Sequence, residues 1–169
     1  MANIDAPRGL KLYQIEGKTA RSRSYTKTAA VAIYKGALLK RVAAGTVQKH
    51  EDGDTDPIVG VAAAYAAAAD SEVFVYDDPE ATFIIQSADA YAVADNGLNA
   101  DIIDGTDNAS LLYSGQEIDM SSKATTATLP LKIIGLAPEI NGQENAAGSN
   151  ADLLVKINAH ERSAGVAGI

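Results

Sequence analysis

The chain has 169 residues, a net charge of −8, an apolar fraction of 47% and no cysteine, which fits one domain of ordinary size and excludes disulfides, zinc-thiolate sites and thiol nucleophiles. No stretch approaches the ~20 apolar residues that cross a bilayer. The start is polar, with Asp5 and Pro7, and lacks the basic, apolar, small-residue order of a secretory signal, so a soluble protein made in a cytoplasm is expected. The large rings are Phe74, Phe83 and seven tyrosines, and much of the remaining apolar fraction is alanine. Burial stabilises roughly in proportion to apolar area, so stability shared with neighbouring copies is expected.

The charge is divided along the chain. Residues 1–50 carry ten basic side chains against two acids, a net of +8, whereas residues 51–169 carry four against twenty, a net of −16. A domain does not need such asymmetry to fold; complementary charge steers association and fixes register. Residues 1–30 read as an extended basic arm, with Arg8, Lys18, Arg21, Arg23 and Lys27 as the residues expected to bind an acidic partner protein. Nucleic acid is the weaker reading of these cations. Only Tyr13 and Tyr25 lie near enough to stack on bases, and the rest of the chain repels phosphate.

In chain order, strands are predicted at 11–15, 37–42 and 58–62, bounded by Gly, Pro, Asn or Asp. The run Ala62 to Ala69 is ambiguous between the helix propensity of alanine and the strand character of Val61 upstream. A β-hairpin is predicted over 72–87, because two β-prone runs flank Asp77-Asp78-Pro79-Glu80. Residues 89–123 are rich in Asp, Asn, Gly and Ser and read as a long surface excursion. Strands follow at 128–136, where Pro130 suits an edge or a bulge, and at 153–158, with a second loop over 141–150 between them. The expected fold is mainly β, a small sandwich or barrel body over 31–163, followed by a flexible tail at 164–169.

Catalytic patterns are missing from the sequence. His50 in a polar loop and His160 at the end of the last strand stand far apart, and there is no G-x-S-x-G elbow, no HExxH pair and no phosphate loop. Asp52, Asp54 and Asp56 have the spacing that opens a calcium loop, but Pro57 and Ile58 follow where a glycine should turn the chain, and Ala63 stands where the bidentate acid belongs. The segment reads as a solvated acidic hairpin tip. No catalytic residue, metal, cofactor or small-molecule substrate is expected.

A series of short motifs carries a resemblance that runs nearly end to end. It comprises Ala2-Asn3-Ile4-Asp5-Ala6-Pro7 with Gly9-Leu10, Tyr34 to Leu39, Pro57-Ile58-Val59-Gly60-Val61, Val73 to Pro79, Gly97 to Asp101, Ser114 to Asp119, Ala124 to Leu136, Val155 to His160 and the tail from Gly165 to Gly168. In this order they resemble the structural cement (capsid decoration) proteins of tailed double-stranded DNA bacteriophages. The resemblance implies a non-enzymatic virion protein on the outer face of the icosahedral capsid, bound to the major capsid protein and associated as a homotrimer. Other virion structural roles, a tail-tube or head-to-tail connector subunit, share the expected β-rich body. A surface module for a host receptor is a further reading, against which the lack of tryptophan counts.

Overall fold

A computed structural model of the chain describes residues 3–15, 19, 21–139, 145–163, 165, 167 and 168. Its strands are β1 (Lys11–Ile15), β2 (Arg23–Thr26), β3 (Leu38–Arg41), β4 (Val47–Lys49), β5 (Ile58–Ala62), β6 (Glu72–Tyr76), β7 (Ala81–Gln86), β8 (Asn99–Ile103), β9 (Glu117–Ala124), β10 (Leu131–Leu136) and β11 (Asp152–Ile157). Six form one antiparallel sheet in the order β1-β7-β11-β10-β8-β9, and five form another in the order β2-β6-β5-β3-β4. The fold is therefore mainly β, a small sandwich of two antiparallel sheets.

The main core lies where the alternating faces of the six-stranded sheet meet the other sheet. Phe83 and Ile85 of β7, Leu153 and Val155 of β11, Leu131 and Ile133 of β10 and Ile102 of β8 pack with Leu38, Ile58 and Val61 of the five-stranded sheet. The opposite face of that second sheet carries a second core, built from Leu39, Val47, Val59, Val73 and Val75 and covered by Ile33 and Ala66. A register shift between β3 and β5 lets Ile58 and Val61 face one core while Val59 and Ala62 face the other. Gly60 sits in that shift, where a side chain would collide with the backbone carbonyl of Tyr76.

The alanine run forms no helix. Ala62 ends β5, and Ala66 bridges to Ile33, so small side chains let the chain lie flat over the second core. The segment read as an arm supplies β1 to one sheet and β2 to the other, and Leu10 is buried in the main core. Of 164–169, Gly168 donates to the Thr125 carbonyl, and the Ala167 carbonyl accepts from Lys132 Nζ.

Two expectations are corrected. The strands at 72–76 and 81–86 exist, but β6 pairs with β2 and β5 whereas β7 pairs with β1 and β11. Asp77 to Glu80 thus crosses between sheets and does not close a hairpin; a short acidic Pro-containing turn reads alike in both cases. The supposed excursion over 89–123 contains β8 and the first part of β9. Polar residues sit in these strands because each finds a partner: Asn99 Nδ2 donates to the Thr126 carbonyl and Asp101 accepts from the Gly53 amide. Pro130 precedes β10, an interior strand, so its missing N–H falls outside the ladder.

Lys27 holds the layer over the second core. It is 3% exposed, and its ammonium donates to the carbonyls of Val31 at 2.8 Å, Ala68 at 3.2 Å and Thr28 at 3.4 Å. Just beyond β2 the same residue bridges to Val47 of β4, so the two outer strands of the sheet meet at one end. A Lys27→Met substitution leaves three carbonyls without their charged donor and is expected to cost about 2 kcal/mol or more; Phe83→Ala, which empties a fully buried site, is expected to cost about 3–5 kcal/mol. Urea unfolding of the isolated protein measures both.

Candidate functional site

The β6–β7 crossing brings an acidic corner to one flank of the sandwich. Asp77 lies at the end of β6 with its side chain buried, and its Oδ2 accepts the Tyr25 hydroxyl at 2.7 Å. The same oxygen stands 3.4 Å from Arg23 Nη1 and 3.3 Å from Arg162 Nη2. Beside this corner opens a groove of about 730 Å³, walled by Ile15 and the 77–80 crossing and lined by Arg21, Arg23 and Arg162.

The groove's carboxylates are committed to the fold. Asp77 serves the three donors above, an Asp78 oxygen accepts the Glu80 amide at 2.9 Å, and Glu80 pairs with Lys156 at 3.2 Å. Its guanidinium groups are less constrained. Arg23 has a side-chain exposure of 66% and Arg162 of 39%, and their nitrogens approach Asp77 to 3.4 and 3.3 Å. Each guanidinium carries five N–H donors, so donors remain on the solvent side.

Behind the groove the groups are fixed by their neighbours. Burial, with the Asp77 hydrogen bond and the Asp77 and Glu161 charges, pushes the Tyr25 hydroxyl up to about 12. Arg41 reaches across with a fork on Glu161, at 2.8 and 3.0 Å, and stacks over the Tyr25 ring at 5.5 Å. That fork holds the Glu161 carboxyl below its ordinary value against the opposing effect of burial. His160 is buried; its Nδ1 accepts the Arg162 amide at 3.0 Å, and burial together with the Arg162 charge lowers its pKa.

The residues singled out in the sequence separate in space. Arg21 and Arg23 line the groove, Arg8 is exposed outside it, and Lys27 is an internal structural cation. Lys18 lies outside the described residues. Part of the basic excess of residues 1–50 is answered within the chain: Lys40 pairs with Asp54 and Asp56, Arg41 with Glu161, and Lys49 with Asp104 and Asp107. The acidic segment at 51–56 is corrected from a hairpin tip: it joins β4 to β5, which are separated by β3, and Lys40 anchors it. Burial alone would raise the Asp54 carboxyl, but its bonds to Lys40 and to the Glu51 amide, with the Lys40 and His50 charges, hold it below the ordinary value. His50 is corrected from a polar loop to a position 1% exposed beyond β4, its ring nitrogens 4.0 Å from Asp54 and 3.8 Å from Asp101.

Tyr25, Asp77 and Arg162 escaped sequence reasoning because three separated segments contribute them. One signal was present: Arg162 is among four basic residues in an otherwise acidic 51–169 region. Among the described residues, no group of three or more His, Cys, Asp or Glu is placed to hold a metal ion. Comparison with protein-family models, with curated proteins and with solved structures finds no match for this chain.

The neutral state of His160 sets a dependence on pH. The unfolded chain takes up a proton on this imidazole at a higher pH than the folded chain does. The stability conferred by neutral His160 is therefore complete above the ordinary value of about 6.5 and lost as the pH falls through the lowered folded value. Thermal unfolding followed from pH 7.5 down to about 5 should show a falling midpoint, and His160→Gln should flatten that part of the slope.

Proposed function

We propose that this protein is a non-enzymatic structural subunit of a virus particle, a cement protein that binds the outer surface of an icosahedral capsid and braces the major capsid protein lattice, self-associating as a homotrimer. The observation that carries the reading is the exposed pair Arg21 and Arg23 beside a groove on an otherwise acidic chain. Guanidinium groups grip carboxylates in a planar fork and suit protein partners. The resemblance in motif order supports the same reading, and a sandwich with two buried cores supplies the rigid body that a brace requires.

Binding to a lattice does not need strong individual contacts. Exposed ion pairs contribute ~0–1 kcal/mol each, and copies held side by side on one shell make many of them together. Replacing Arg8, Arg21 and Arg23 with glutamate should weaken attachment to expanded capsids lacking the protein by about tenfold or more, and should flatten its dependence on salt. Co-sedimentation with purified capsids over a salt series measures this. Unchanged attachment by a folded triple variant counts against the reading.

A further inference from the structure

Resting on the reading above for its partner, we infer that the flank groove is a docking site for an extended, carboxylate-bearing segment of another protein, with Arg21, Arg23 and Arg162 as its recognition groups. Three features of the groove lead there. First, each of its own acids already has a partner: Asp77 in Tyr25 and the arginines, Asp78 in the Glu80 amide, and the exposed Glu80 in Lys156. Second, Arg23 and Arg162 crowd the same Asp77 oxygen, at 3.4 and 3.3 Å, which a shorter bond from Tyr25 also occupies. Neither arginine can satisfy its five N–H donors on that one shared oxygen, so each keeps donors for an incoming oxyanion.

Third, the surroundings select among oxyanions. A groove of about 730 Å³ has the size that encloses a few side chains of a peptide. A nucleic acid strand would have to run its phosphates over a surface whose last 119 residues carry −16, which electrostatics opposes. Occupation of the groove by a second copy of this chain is a separate outcome that the test below distinguishes.

The test uses the isolated full-length protein labelled with ¹⁵N and a short blocked peptide alternating glutamate and valine. Controls are the same peptide with lysine for glutamate, inorganic phosphate, and a single-stranded oligonucleotide. The expected result is that the side-chain N–H signals of Arg21, Arg23 and Arg162 shift with the glutamate peptide alone, and that Arg21→Glu with Arg23→Glu weakens peptide binding about tenfold or more. Because Arg23 also touches Asp77, Arg21→Glu alone is measured as well, with an unchanged melting midpoint as the criterion of folding. Three outcomes overturn the inference: no shift at these arginines, shifts produced equally by phosphate or by the oligonucleotide, or self-association of the unmodified protein that Arg21→Glu abolishes. Capsid co-sedimentation of the same variants separates this result from the functional reading. Peptide binding without capsid binding removes the cement role and leaves the groove; capsid binding without peptide binding does the reverse.

Discussion

The arrangement of the flank depends on one buried carboxylate. A charge removed from water must be paired and hydrogen-bonded or it destabilises the fold by several kcal/mol, and Asp77 is such a charge at the end of β6. Its partners come from β2, through Tyr25 and Arg23, and from the turn after β11, through Arg162. One oxygen therefore ties an outer strand of one sheet to the C-terminal end of an inner strand of the other. The β6–β7 crossing is held at that corner, where the chain passes from one sheet to the other. Ile58, with its backbone bonds to Ala159 and Glu161, supports the same junction from the side of β5.

A second internal charge does comparable work at the other core. Lys27 carries no carboxylate partner among its hydrogen bonds; it is surrounded by carbonyls of the 28–31 and 68 segments. Those segments have few large side chains with which to cover Val59, Val73 and Val75, because the covering residues are Ile33 and alanines. Polar anchoring substitutes for apolar area, consistent with the alanine-rich composition. Lys40, Arg41 and Lys49 are instead matched by acids from later loops, Asp54, Glu161 and Asp104. The division of charge along the sequence is thus in part a division between partners inside one fold.

Legibility varied with the physical origin of each feature. β1 and β5 were read to the residue, because β-branched and long apolar side chains bounded by turn-forming residues report local preference directly. β8 and β9 were missed because Asn99, Asp101 and Asp119 look like loop residues until their partners, the Thr126 carbonyl, the Gly53 amide and Ser121, are brought up by the fold. The groove was half legible. Counting charges singles out Arg21 and Arg23, but the same count places Lys27 beside them, and nothing in composition says that this ammonium turns inward. The Asp77 hub depends on contacts spanning 52 and more residues, which no local pattern encodes.

That distinction between inward and outward cations bears on how the proposed docking would work. A free arm of five cations would attract any anion, with affinity set mainly by ionic strength. Arg23 and Arg162, each drawn toward Asp77 at the edge of a walled groove, present their remaining donors from one side of it, so less side-chain freedom is lost on binding than from a free arm. Preorganisation of this kind favours a carboxylate held on a defined backbone over a diffuse polyanion. The acidic remainder of the surface adds the repulsive half of the selection. On the proposed reading, specificity for a capsid subunit then resides in groove geometry and in the charges that oppose everything else, while strength comes from the number of copies bound side by side.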